Sequence, residues 1–362
     1  MINILGWLAH LQIEHTDKVI IGSLLLSGFL VAGIPKVEIQ TDFQEGLPQD
    51  LPPIVAEEEV QAKFGNTETL TILFQTGETP REDGYVTDVR DPRMVSSMNF
   101  LEDQLQQEPI VESVNSMASL FEQDPSTKQQ VKNRLSRTPV EYVNRDYTST
   151  LMFVQLSEEM NERNIQKATN VIEENLRQTP SYPGVEQSVT GLPAIRTALS
   201  NVIVTDTTKI IGGSSALILL LLIGARGFFY GPATFVPLFL GLLWTLGTMG
   251  WIGLPLTIVT IALSSVLLGL GVEYGSFIAE RIVEESEKET VEEAVKESMP
   301  STGKAVLGSS TTDLVGFLAL LTAPISFLRD LGLTLAIGES LTLLAAIGLT
   351  PALIIRYKRW KR

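Results

Sequence analysis

Apolar residues are segregated along this chain rather than spread through it. Residues 19–34 (VIIGSLLLSGFLVAGI) carry no charge, a polar and acid-rich stretch follows to residue 208, and from Ile210 the chain returns to long apolar blocks. A transmembrane helix needs ~20 mostly apolar residues. Six runs qualify: 18–35, 209–225, 231–252, 256–280, 304–323 and 331–355. The first has a single Lys at its edge and no small-x-small cleavage site after it, so it reads as a retained helix and not as a signal peptide.

Between the first two runs the pattern changes period. ETLTILFQT (68–76), IVESVNSM (110–117), STLMFVQL (149–156) and GVEQSVTG (184–191) read as strands. DPRMVSSMNFLEDQLQQ opens on an Asp cap and a Pro, with helical spacing at Met94, Met98, Leu101 and Leu105. NERNIQKATNVIEENLRQ (161–178) places Ile165, Ala168, Ile172 and Leu176 on one face. The order β-α-β, β-α-β predicts a ferredoxin-like α+β domain with a helical insert near 126–140. The expected fold is therefore a bundle of six membrane helices plus one α+β domain over 36–208, outside the membrane. GLPAIRTALSNVIVTDTTKI then runs as a helix toward the second span.

Charge sets the orientation. The tail RYKRWKR (356–362) is strongly basic, and Arg226, Arg281 and Lys304 fall at ends of spans two, four and five. The positive-inside rule puts these, both termini and the loop 281–303 in the cytoplasm of a plasma-membrane protein, with 36–208 outside. Residues 1–17 are apolar on much of their surface and are expected along the inner interface. The net charge of −15 argues against nucleic acid as a partner. There is no cysteine, and His10 and His15 are the only histidines, so a histidine metal site or a Ser-His-Asp triad is not expected. PSTGKA (300–305) lacks the first glycine and the trailing Ser/Thr of a phosphate-binding loop. No cofactor and no enzyme chemistry are expected.

Three acids interrupt the apolar runs: Glu273, Asp313 and Glu339. A charge at mid-bilayer costs about 2.5–3.5 kcal/mol on insertion scales. At helical rise Glu273 lies ~12 Å from the cytoplasmic boundary, Asp313 at nearly the same depth, and Glu339 ~13 Å from the outer boundary. No Lys or Arg falls in the interior of spans two to six. The acids must therefore be protonated, hold a cation, or be solvated with Tyr274, Ser309, Ser310, Thr311 and Thr312. That is the chemistry of an H⁺ or Na⁺ relay. Gly271 and Gly275 form G-x-x-x-G around Glu273, with Gly269 one turn before it, a pattern for close helix packing.

At GLGVEYGSFIAERIVEE the chain resembles the resistance-nodulation-division superfamily, in its mycobacterial-membrane-protein-large (MmpL) branch. That family carries Gly-x-Gly-x-Asp-Tyr and Arg-x-x-Glu-Glu in its fourth span. Further matches are TDFQEGLP, KFGNTETLTILF, VTGLPAI, GTMGWIGLPLTIVT, GFLALLTAPISFLRDLGLTLAIG and LTPAL. The resemblance implies that Glu273 and Tyr274 act as the proton relay, with Glu in place of Asp, and it assigns Asp313 no role. It implies an ion-driven exporter of hydrophobic or amphiphilic molecules, lipids included, with the outer domain as a porter unit. Most members hold two six-span halves and this chain holds one, which implies a homodimer or higher homo-oligomer. Two rival readings are a protein-export auxiliary of the SecD/SecF kind and a lipid sensor like sterol-sensing domains.

Overall fold

A computed structural model describes residues 2–41, 46–48, 50–64, 68–77, 84–137, 142–157, 162–260 and 263–361. Parts of TDFQEGLP and KFGNTETLTILF, the end of the 126–140 insert, the start of the 161–178 helix and positions 261–262 of the fourth span lie outside the described residues. The elements are α1 (Ile2–Glu14), α2 (Thr16–Val31), α3 (Pro52–Phe64), β1 (Thr69–Thr76), α4 (Pro92–Leu105), β2 (Val111–Ser116), α5 (Lys128–Leu135), β3 (Ser149–Leu156), α6 (Glu162–Gln178), β4 (Val185–Thr190), α7 (Leu192–Ile252), α8 (Leu263–Glu285), α9 (Val291–Ala319) and α10 (Ser326–Lys361). They form two compact units, residues 49–200 and residues 1–48 with 201–362.

In the 49–200 unit the four strands form one antiparallel sheet in the order β2-β3-β1-β4. Each β-α-β unit is split by a strand from the other. Alternation in β1 and β3 buries Leu70, Ile72 and Phe74 with Met152, Val154 and Leu156. Met94, Met98, Leu101 and Leu105 of α4 and Ala168, Ile172 and Leu176 of α6 join the same core. Asp91 caps α4, its carboxylate accepting the Arg93 backbone N–H at 3.0 Å, which satisfies one of the helix's orphan donors. Arg196, at the start of α7, is paired with Glu68 at 2.9 Å and with Glu162. Phe74 has no solvent exposure, so Phe74→Ala should destabilise this unit by ~3–5 kcal/mol. Denaturant unfolding followed by hydrogen exchange in β1 and β3 would measure it.

Among the described residues, four helices are long and apolar enough to cross a membrane by length and composition: Thr16–Lys36, Leu192–Ile252, Val291–Thr322 and Ser326–Lys361. The expected second and third spans share the single element α7. Its helical geometry breaks between them at Gly227 (φ 84°, ψ 170°), a region open essentially to glycine alone. The expected fourth span differs at its start. Leu256 is bridged to Ile39 instead of being helical, and helix resumes at Leu263. Pro255, which has no N–H, and Gly253 at φ 75° account for the break. α8 starts at Leu263, directly after the two positions outside the described residues, and is not in the group of four.

Backbone contact between α2 and α7 rests on glycine. A Cβ at Gly247 would run into the Leu30 carbonyl, and one at Gly250 into the Gly33 carbonyl. Trp244 Nε1 donates to Ser27 Oγ at 2.8 Å, and Trp251 stacks on Phe29. α1 packs through Leu5 and Ala9 into a cluster with Val291, Met299, Val306 and Ile354, while Ile4 and Trp7 on its other face stay exposed.

Candidate functional site

α8, α9 and α10 pack on one another, and their contact brings together Tyr274, Asp313 and Glu339. Tyr274 is 2% exposed, and its ring sits among Ile278, Met299, Val306 and Ala346. Its hydroxyl contacts Glu339 Oε1 and lies 3.2 Å from Asp313 Oδ2. Glu339 is 1% exposed and its Oε2 has no hydrogen-bond partner among the described residues. The meeting agrees with the expected depths: ~12 Å from one boundary and ~13 Å from the other leave only a few Å of a ~30 Å core between the acids. A tyrosine spans that gap.

The contact constrains protons. A phenol has one hydrogen to donate. Two ionised carboxylates must share it in a bifurcated bond. A proton on one carboxyl, donated to the phenol oxygen, lets each contact be a full hydrogen bond. Among the described residues no Lys or Arg forms an ion pair with Glu273, Asp313 or Glu339.

Other expected site residues take different places. Glu273 is exposed. Successive helical residues are turned by about 100°, so when Tyr274 faces α9 and α10 its neighbour points away. Ser310 is buried, and Ser309 is exposed at the rim of a cavity. Thr311 and Thr312 are exposed, and their hydroxyls donate to the Leu307 and Gly308 carbonyls of their own helix. Gly271 lets α8 close on Leu238 and Thr342, and Gly275 lets it close on Thr234 and Thr350. Among the described residues a Cβ at Gly269 would meet nothing within 4 Å.

A cavity of about 580 Å³ between α8 and α9 runs from Tyr274 past Phe277, Ser309, Ala305 and Thr302 to Glu280, Arg281 and Glu284. Its far end lies at the level of Arg226, whose guanidinium donates to the Ser276 carbonyl at 2.7 Å and pairs with Glu280. Sequence reasoning passed over Thr342, 1% exposed with an unpartnered hydroxyl. Its position three residues after Glu339, on the same helical face, was the available signal.

A family model, the MMPL family, matches residues 82–362. The chain belongs to the MMPL family. A predicted membrane protein of Methanocaldococcus jannaschii is 30% identical over 98% of this chain and 94% of its own length. The transport protein MmpL4 of Mycobacterium leprae is 28% identical over 56% of this chain but only 22% of its own. Transport protein MmpL12 of Mycobacterium tuberculosis is 31% identical over 30% of this chain and 10% of its own length. Among solved structures, SecDF from Thermus thermophilus, a translocon-associated membrane protein, is similar at a TM-score of 0.48 and 19% identity, over 96% of this chain and 38% of that one. This MMPL chain is a multi-pass membrane protein, and its named mycobacterial relatives are transport proteins.

Proposed function

We propose that this MMPL protein is a secondary active exporter that couples proton entry to the removal of hydrophobic or amphiphilic molecules, lipids included. The observation that carries the reading is the Tyr274 hydroxyl held between two carboxyls that have no Lys or Arg partner among the described residues. The network needs a shared proton to be fully hydrogen-bonded, and losing that proton leaves charge in a low-dielectric site. The two protonation states therefore favour different helix packings, and a ligand or ion shifts such an equilibrium by its differential affinity for the two. The cavity from Tyr274 to Glu280, Arg281 and Glu284 supplies a polar entrance at the basic, cytoplasmic end of the helices. Glu273, next to Tyr274 on α8, modulates the site from outside it.

In this reading the chain crosses the membrane six times, with α7 crossing twice about Gly227 and α8 once. The split β-α-β domain is a ferredoxin-like porter unit, and α7 links it to the relay. Copies assemble as a homodimer or larger oligomer of half-transporters.

The test is infrared spectroscopy of the protonated-carboxyl C=O band in reconstituted protein, with Glu339→Gln and Glu273→Gln as difference controls. It is paired with gradient-driven loss of fluorescent amphiphiles from proteoliposomes. The expected result is a Glu339 band that responds to pH, with dye loss that needs a pH gradient. Dye loss driven by a Na⁺ gradient alone would replace the proton by Na⁺. A band that stays protonated throughout, with no gradient-driven loss, would leave a static lipid-binding protein.

A further inference from the structure

We infer that Gln12 of α1 braces an open hinge in α10 and thereby positions Glu339. The hinge starts from one residue. Pro351 lies inside α10 and has no N–H, so the Ile347 carbonyl, four residues earlier, loses its helical donor. A carbonyl left open in a buried helix needs another donor or becomes a point where the helix bends.

Gln12 supplies that donor from the far end of the chain. Its side-chain Nε2 donates to the Ile347 carbonyl at 2.7 Å and to the Gly348 carbonyl at 2.9 Å. Glutamine suits the task because an amide nitrogen carries two hydrogens, one for each carbonyl. The amide orientation follows from its surroundings, since the reversed one would set Oε1 against two carbonyl oxygens. Gln12 has no solvent exposure, and its Oε1 is buried without a partner. A leucine there would carry no such cost, so burial of an apolar face does not account for this residue.

The contact on α10 is doubled beyond the hinge. Arg359 donates to the Ile13 carbonyl at 2.8 Å and to Thr16 Oγ1 at 3.1 Å, and its Nε meets Glu292 Oε1 of α9 at 3.1 Å. Thr16 in turn donates to the Gln12 carbonyl at 2.7 Å. α1 therefore lies across Pro351 as a splint, tied to α10 on both sides of it. Glu339 lies just over two helical turns before Ile347. Leu5 and Ala9 of α1 share one apolar cluster with Tyr274, Ala346 and Ile347. The splint fixes the segment of α10 that holds the carboxyl against Tyr274. Gln12 acts through α10 and is a positioning residue. This inference rests on the relay reading for its functional consequence, and on α10 geometry alone for the brace.

The test uses the full chain in lipid nanodiscs with Gln12→Leu, Pro351→Ala and the double substitution. Gln12→Leu should raise amide exchange in α10 from Ala346 to Leu353 at least tenfold and shift or broaden the Glu339 C=O band. Adding Pro351→Ala should return both to within twofold of the unaltered chain, because the alanine restores the N–H that Ile347 needs. If Gln12→Leu alone does not fold and the double substitution does, that rescue also supports the brace. Unchanged exchange in Gln12→Leu, or failure of Pro351→Ala to rescue, overturns the brace. Exchange that rises and is rescued while the Glu339 band stays fixed overturns the positioning role. A Glu339 band that does not titrate in the unaltered chain is a failure of the relay reading, distinguishable because the exchange arm does not depend on it.

Discussion

Replacing Tyr274 with phenylalanine should reduce gradient-driven transport by ~10²-fold or more, the scale of a lost proton-transfer group, while the helices stay packed. The substitution removes one oxygen. The ring remains among Ile278, Met299, Val306 and Ala346, so the apolar contacts survive. Asp313 and Glu339 lose the hydroxyl that touches both, and among the described residues neither is paired with a Lys or Arg. Thermal unfolding of the variant should stay close to that of the parent, since the lost hydrogen bonds are worth about 0.5–3 kcal/mol. Proteoliposomes carrying the variant and the parent, compared under the same imposed pH gradient, would measure the effect. Transport within twofold of the parent would remove Tyr274 from the mechanism and with it the proton argument.

Gly241→Ala should be nearly as damaging, by a different route. A Cβ at Gly241 would lie 2.6 Å from the Cα of Thr342, against an ordinary carbon contact of about 3.5–4.0 Å. The obstacle is backbone, so no rotamer change relieves it, and α7 and α10 must separate by about 1 Å. Thr342 lies one turn from Glu339, so the carboxyl moves with it. A misplacement of that size is enough to cost ~10²-fold in a positioned reaction. Overpacking adds about 1–3 kcal/mol of destabilisation, so the melting temperature should fall as well. Gly269→Ala, where a Cβ meets nothing, is the matched control and should behave as the parent. If both variants melt and transport alike, the glycine contacts do not set the position of Glu339.

What the sequence disclosed follows from how local each signal is. The strand at 149–156 and the Asp91 cap of α4 were legible because alternation and capping are decided within a few residues. The three interrupting acids were legible because charge in an apolar run is conspicuous. Their facing was not. A membrane helix is apolar on every side, so its period does not say which face looks inward. Glu273 and Tyr274 are adjacent in sequence, yet only Tyr274 joins Asp313 and Glu339. Glu339 emerged as the most buried of the acids only once α10 was seen against α8. The bond from Gln12 to Ile347 joins opposite ends of the chain, and no local pattern announces it. The expected count of spans differed from the helices that qualify by composition among the described residues at α7, where two expected spans run on as one element across the break at Gly227.

The split sheet also sets a timetable for synthesis. β1 is one of the two central strands, yet its partners are made late: Leu73 pairs with Leu151 on one side and Ser188 on the other. At ~5–20 residues per second on the ribosome, TLTILFQT waits several seconds with both edges open, uncharged and rich in β-branched residues. Such a segment is a template for pairing with another chain. β4 closes the second edge, and only Gly191 separates it from α7. Completion of the sheet and the arrival of the next long apolar helix therefore fall at almost the same moment of translation, and a delay in one exposes the other.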